Sequence, residues 1–503
     1  MGELDSHKSR RRIELASPGD YDALMFNFRL SSLILALIVT PLALAQDSPT
    51  TRAAVTQCMG TATDFLFDTL SNQGGFVWFY TMDLEPYGEL KARPSMIWVE
   101  PPGTPSVGLV LLEAYKATGN TAYLKRANQV AEALTKGQHP SGGWNYFIDF
   151  DPDGLLAYYA SFFSKCWGWQ EYLKQRNNAT FDDYSTTEAT RFFLRLHAVT
   201  KDARHRGVLD KALDHILRAQ YPDGGWPQRF PDAAADHDYS NARTFNDDVI
   251  YDCIQVLLEA HGRLGNERYR EAAIRGMDFY LRAQLPAPQA GWAQQYGADL
   301  KPVWGRPFEI GTVCSTETVG NIYQLFEFYA ITGDRKYLEP VPRALDWLEA
   351  SRLSGAEGYT HTGFYEMGTN RPIFIKQTGT SIEDVRYRPT YEKAGCYPYA
   401  HEVTINVEAL RKEHARLVAL SPEKAMAAYR ERKQKQLLPK NIRGGHLAVA
   451  LSKTSQTPEG IAAIIHGLDE RGGWRDPVTQ LHPFHPFTEA PLKTEAYIVG
   501  GYI

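Results

Sequence analysis

Tyr221-Pro-Asp-Gly-Gly-Trp-Pro-Gln228 closes one apolar-periodic run, and Thr244-Phe-Asn-Asp-Asp248 stands before the next. The Gly224-Gly225 pair cannot hold a helix, so it ends the run before it. It is expected to leave Trp226 at the rim of a cleft, where an indole face stacks on a sugar ring. Asn246, Asp247 and Asp248 offer the hard oxygen donors that calcium takes; the other reading of the same cluster is a helix cap.

The phrase recurs. Gly74-Gly75-Phe76, Gly142-Gly143-Trp144, Gly291-Trp292, Gly358-Tyr359 and Gly472-Gly473-Trp474 also close apolar-periodic segments. A second element recurs between helical patterns: Thr118-Gly-Asn-Thr-Ala-Tyr123, Thr200-Lys-Asp-Ala-Arg-His205, Leu264-Gly-Asn-Glu-Arg-Tyr269 and Thr332-Gly-Asp-Arg-Lys-Tyr337. The unit is helix, short turn with an aromatic anchor, helix, glycine-aromatic loop. Its spacing, mostly about 65 to 80 residues, exceeds that of tetratricopeptide-type solenoids. The expected fold is all-α, an irregular α/α toroid of helical hairpins whose glycine-aromatic loops build a cleft; an unrelated all-α bundle is the alternative. Strand-like alternation is nearly absent.

This catalytic region is expected over residues 50–400. Beyond it, Glu408 to Ala419 and Lys424 to Gln436 read as solvated amphipathic helices, and Gly444 to Lys453 and Thr457 to Glu470 as more buried ones. Residues 401–503 are expected to form a C-terminal helical extension, with no interpretable periodicity from Pro477 to Tyr497.

The chain has 503 residues, 43% of them apolar, enough for one large core or two modest ones. A net charge of −5 gives no basic field for nucleic acid. Five cysteines, widely spaced, do not make a disulfide framework and show no zinc spacing; most are expected in the core. Met25 to Ala45 carries a charged start, a short apolar core and small residues before Gln46, the pattern of a secretory signal. Residues 1–45 are therefore expected to be an N-terminal extension plus signal peptide, with the mature protein secreted or periplasmic, monomeric and without stable membrane association.

Five motifs in order carry a resemblance: Phe181-Asp-Asp-Tyr-Ser-Thr-Thr187, Asp223-Gly-Gly-Trp-Pro-Gln228, Thr244-Phe-Asn-Asp-Asp248, Lys301-Pro-Val-Trp-Gly-Arg-Pro-Phe-Glu309 and Gly368-Thr-Asn-Arg-Pro-Ile-Phe374. Over about residues 105 to 395 the chain resembles the pectate lyases of polysaccharide lyase family ten. The resemblance implies an irregular α/α barrel, polygalacturonate as substrate, calcium as cofactor, and anti-β-elimination with an arginine base. It places Asp182, Asp183, Asp247 and Asp248 in the calcium region. It gives Arg306 as the base and Arg371 as a second site arginine, with Asp183, Trp226, Gln228, Arg243, Trp304 and Arg371 toward the substrate. The family's first motif usually has asparagine after its aspartate; Asp183 stands there in this chain.

The chemistry asks for such residues. Removing the C5 proton of a uronate leaves charge beside a carboxylate, which a divalent cation on that carboxylate draws off. Arginine is an unusual base, and the alternative for Arg306 and Arg371 is a bidentate clamp on substrate carboxylates. Glu188, Glu309, Glu317 and Glu366 offer the paired carboxylates of a glycoside hydrolase, the competing enzyme class; a non-catalytic polysaccharide-binding toroid is the third reading. His205, His237, His361 and His401 read as structural. About half of Trp144, Trp167, Trp169, Trp226, Trp292 and Trp304 are expected along the groove.

Overall fold

The computed structural model describes residues 13–15, 51–88, 91–151, 153, 177–232, 239–355, 358–379, 386–394, 402–435, 457–480 and 492–499. The chain divides into two compact units: Leu24–Gly276 with Glu431–Ile503, and Met1–Ala23 with Met277–Arg430. The helices are α1 (Arg52–Phe65), α2 (Thr104–Thr118), α3 (Thr121–Lys136), α4 (Ser185–Thr200), α5 (Ala203–Ala219), α6 (Val249–Leu264), α7 (Glu267–Ala283), α8 (Ser315–Thr332), α9 (Val341–Ala350), α10 (Val407–Ala419), α11 (Pro422–Lys435) and α12 (Pro458–His466). The class is the expected one, all-α hairpins of the α/α-toroid kind.

Each hairpin turn follows from two adjacent residues. A left-handed residue ends the first helix: Gly119 (φ 71°), Lys201 (φ 56°), Gly265 (φ 69°) or Gly333 (φ 73°). The next Asn or Asp starts the following turn, its side chain accepting from a backbone N–H two residues on: Asn120 from Ala122, Asp202 from Arg204, Asn266 from Arg268 and Asp334 from Lys336. The aromatic anchors Tyr123, His205, Tyr269 and Tyr337 are all buried.

In the first unit α2 and α4 are buried on every side of their first turns, whereas α3 and α5 bury only a stripe, for example Ala127, Val130, Ala131 and Leu134. α2, α4 and α6 therefore form an inner layer, α2 against α4 and α4 against α6, and α3 and α5 an outer one. The helix starts of the inner layer carry the motifs.

The glycine-aromatic loops correct one expectation. Gly142 (φ 113°), Gly224 (φ 101°) and Gly472 (φ 87°) take a conformation that side chains rarely adopt, and a Cβ on Gly142 would stand 2.1 Å from the Lys211 carbonyl oxygen. The turn then sends the tryptophan inward. Trp144 Nε1 donates to Leu134 O at 2.8 Å, Trp226 Nε1 to Ile216 O at 2.8 Å, Trp292 Nε1 to Tyr280 O at 2.9 Å and Trp474 Nε1 to Ile464 O at 2.7 Å. Each indole donates to a carbonyl in the last turn of the preceding helix, where backbone donors run out. Trp144, Trp226 and Trp292 are core residues, 0% exposed, so Trp226 is not the groove aromatic expected. Trp167 and Trp169 lie outside the described residues.

The C-terminal region is also corrected. Arg475–Gln480 and Leu492–Ile498 are antiparallel strands, and the second pairs with Phe79–Thr81, which pairs with Pro86–Tyr87. The Gly472 loop rests on α1, a Cβ there standing 2.9 Å from Thr61 Cγ2. These residues complete the first unit instead of extending it. The three-residue partner Phe79–Thr81, hundreds of residues from Leu492–Ile498, is too short to leave a period to read. In the second unit Ile13–Leu15 pairs in parallel with Val403–Ile405, and Pro372–Thr378 forms a hairpin with Arg386–Thr390. No helix among the described residues is long and apolar enough to cross a membrane. The signal-like Met25 to Ala45 lies outside the described residues.

Candidate active site

Two turns of the same shape precede α4 and α6. In Phe181-Asp-Asp-Tyr184, Asp183 (φ 47°, ψ 36°) and Tyr184 (φ 62°, ψ 9°) are both left-handed; in Phe245-Asn-Asp-Asp248, so are Asp247 (φ 53°, ψ 29°) and Asp248 (φ 58°, ψ 21°). Two consecutive left-handed non-glycine residues cost roughly 1 kcal/mol or more each, so the surroundings must hold them. Asp248, which directly precedes α6, makes no side-chain capping hydrogen bond to it.

The two turns lie against each other in the first unit. Carboxylate oxygens of Asp182, Asp183 and Asp247 come within 4.8 Å of one another. Asp248 does not join that group; its Oδ2 accepts from the Tyr184 hydroxyl at 2.8 Å. The structure thus gathers three of the four expected acids and holds the fourth through a tyrosine. Three carboxylates this close repel by about 3 kcal/mol per pair at an effective dielectric of ~20, and a divalent cation turns that repulsion into attraction.

Sequence reading missed the residues around these acids. Tyr146 Oη donates to Asp182 Oδ2 at 2.6 Å, and the guanidinium of Arg229 lies over the Tyr146 ring at 5.4 Å. Arg229, 1% exposed, donates from Nη1 to the amide oxygens of Asn145 (2.8 Å) and Asn178 (3.2 Å). Asn178, Ala179 and Thr180 are all packed inside. Asn246 Nδ2 donates to Asp247 Oδ2 at 2.7 Å. Burial first, and then the carboxylates of Asp248 and Asp252, push the Tyr184 hydroxyl well above the usual tyrosine range, so it remains a donor. Beneath the turns Arg191 ties α4 to α6, donating to Glu188 Oε2 at 2.7 Å and Asp252 Oδ1 at 2.8 Å. Tyrosine next to a short acidic turn was the available signal, and nothing local in the sequence separates it from a core tyrosine.

The other expected residues are placed as follows. Gln228 is wholly buried, with neither side-chain polar atom hydrogen-bonded among the described residues, and its carbonyl accepts from the Phe181 N–H at 2.8 Å, directly before Asp182. Arg243 is engaged within its own loop: it donates to Asp223 Oδ2 at 2.8 Å and covers the Tyr221 ring at 3.9 Å. Trp226 belongs to the core.

Trp304, Arg306 and Arg371 belong to the second unit. Trp304 is 48% exposed, as a sugar-stacking residue requires. Arg306 is 3% exposed; its Nη1 donates to Glu309 Oε1 and its backbone N–H to Glu309 Oε2, both at 2.8 Å. Arg371 is exposed and stacks on Tyr391 at 3.7 Å. Of the glutamates, Glu188 is ion-paired with Arg191 and Glu309 with Arg306, while Glu366 accepts from Thr369 and Tyr391. His205 and His361 are buried, and burial holds both below the usual histidine value; His237 and His401 lie outside the described residues.

Residues 158–263 match the family model for pectic acid lyase. The matched stretch includes both acidic turns, Gln228, Arg229 and Arg243, and ends before Arg306. It bears out the resemblance to the pectate lyases over that stretch. None of the curated proteins matches the chain. Among solved structures, the family 10 polysaccharide lyase from Cellvibrio cellulosa is 20% identical over 55% of this chain and 84% of its own, with a TM-score of 0.38. A D-mannose isomerase is 11% identical over 75% of this chain and 99% of its own (TM-score 0.41). The GH76A α-1,6-mannanase from Salegentibacter sp. HEL1_6 is 10% identical over 89% of this chain and 96% of its own (TM-score 0.37).

Proposed function

We propose that this enzyme is a calcium-dependent pectate lyase that cleaves polygalacturonate by anti-β-elimination to 4,5-unsaturated oligogalacturonides. The observation that carries the reading is the convergence of Asp182, Asp183 and Asp247 within the stretch that matches the pectic acid lyase family. The donor set fits calcium: all carboxylate oxygen, no nitrogen or sulfur, on turns whose shape brings acids from two helices together. When bound there, calcium would neutralise a uronate carboxylate and make the neighbouring C5 proton easier to remove.

The chain's own residues do the rest. Tyr146 orients Asp182 and Asn246 orients Asp247, so ligand positions are set before the cation arrives. The motif resemblance gives Arg306 as the group that accepts the C5 proton. The electron pair left at C5 forms the C4–C5 double bond as the C4–O bond breaks, and the departing oxygen takes a proton from solvent. One observation favours the clamp role for Arg306 instead: its ion pair with Glu309 holds a guanidinium cation in place. Arg371 and Trp304 are offered as contacts to the acidic chain and a sugar face. Export from the cytoplasm and a monomeric state belong to the same reading.

The test is an ultraviolet assay on polygalacturonate with and without chelator. Elimination makes an absorbing unsaturated uronate and requires restored calcium. New reducing ends without absorbance would instead establish a hydrolase, and neither product a binding protein.

A further inference from the structure

We propose that Tyr184 is a positioning residue that withholds Asp248 from the cation site and so fixes the number of carboxylates around the cation at three. The inference rests on the calcium reading above and concerns this chain's own residues toward that ion.

Four acids stand on two turns of one shape, yet only Asp182, Asp183 and Asp247 bring their carboxylates within 4.8 Å of one another. Asp248 is the immediate neighbour of Asp247 and equally half-buried. What sets it apart is its partner, the Tyr184 hydroxyl at 2.8 Å. Superimposing the turns by sequence, Phe181-Asp-Asp-Tyr184 on Phe245-Asn-Asp-Asp248, makes Tyr184 and Asp248 counterparts: each is the second left-handed residue, each directly precedes its helix, and each binds the other. A bulky aromatic is a poor choice for φ 62°, where glycine or asparagine fits with less strain. The feature of Tyr184 that a smaller residue lacks is a long arm ending in a donor, and that donor reaches the one acid outside the group.

The consequence is electrostatic. Calcium affinity rises with the number of charged ligands. Three carboxylates and a bound divalent cation sum to one net negative charge, and a fourth carboxylate on the cation would weaken further its pull on a substrate carboxylate. By holding Asp248, Tyr184 trades cation affinity for a cation less screened from the uronate.

The experiment is a cation titration of the full-length protein without polysaccharide, by terbium luminescence and by calorimetry with calcium chloride. It compares the parent, Tyr184→Phe, Asp248→Asn, the double variant of these two and Asp247→Asn, with circular dichroism on each to confirm folding. Tyr184→Phe is expected to bind about tenfold tighter, Asp248→Asn to stay within about threefold of the parent, and the double variant to lose the gain. Folded Tyr184→Phe with unchanged or weaker affinity overturns the proposal. So does Asp248→Asn weakened as far as Asp247→Asn, a comparison that decides the matter even if Tyr184→Phe does not fold. A parent that binds neither ion at millimolar concentration overturns the calcium reading itself, a result distinct from either.

Discussion

Glu309 holds Arg306 at two points, its carboxylate accepting from the Arg306 guanidinium Nη1 and from the Arg306 backbone N–H, both at 2.8 Å, with the pair buried. Arg306 is therefore a fixed group rather than a mobile one. Arg306→Lys keeps a positive charge but loses the planar fork. If Arg306 is the base, kcat should fall by about a thousandfold or more with KM nearly unchanged. A clamp would show mainly as a raised KM, with turnover at saturation within about tenfold of the parent.

Glu309→Gln leaves Arg306 buried beside a neutral amide. Removing one partner of a buried ion pair costs about 3 kcal/mol, so the second unit should unfold at lower denaturant. An unchanged urea midpoint would show that the pair contributes nothing to stability.

Asp183→Asn or Asp247→Asn removes one of three converging carboxylates. The calcium concentration for half-maximal rate should rise by roughly tenfold or more in each. The assay is a calcium titration of ultraviolet product formation, and an unaltered requirement in both variants would remove these acids from the cation site.

Trp226→Phe separates a core role from a sugar contact. The indole N–H to Ile216 and the packing against Gly276, where a Cβ would stand 2.6 Å from the ring, predict a stability loss of roughly 1–3 kcal/mol. KM for polygalacturonate should stay within about twofold. A raised KM with parental stability would return Trp226 to the groove.

His215 supplies a pH dependence. Burial is the main cause that pushes it down to about 3, and its ring lies against Phe181 at 5.2 Å, one residue before Asp182. The unfolded chain takes up a proton near pH 6.5 that the folded chain refuses until about pH 3, so stability is full above pH 6.5 and declines as pH falls through that window. Between pH 6.5 and 5 the loss from this group should be about 2 kcal/mol. Urea midpoints of the parent and His215→Gln at both pH values measure it; equal pH slopes would contradict the assignment.

What the sequence alone determined is what short-range geometry controls. The hairpin turns were legible because a left-handed Gly119 or Gly333 and the cap of Asn120 or Asp334 act over two or three residues. The acidic turns and the lyase resemblance were legible for the same reason, as compact motifs. Tertiary structure decided the rest. Asp182 and Asp247 meet because α4 packs against α6, and Asp248 is drawn aside by a tyrosine from the other turn. Trp226 faces inward because its indole N–H finds a helix-end carbonyl there, which outweighs exposure for stacking. The strand Leu492–Ile498 joins the first unit by pairing its end with Phe79–Thr81 at the far end of the chain. Each of these depends on partners distant in sequence, and a pairing that is absent from the local pattern leaves no trace in it.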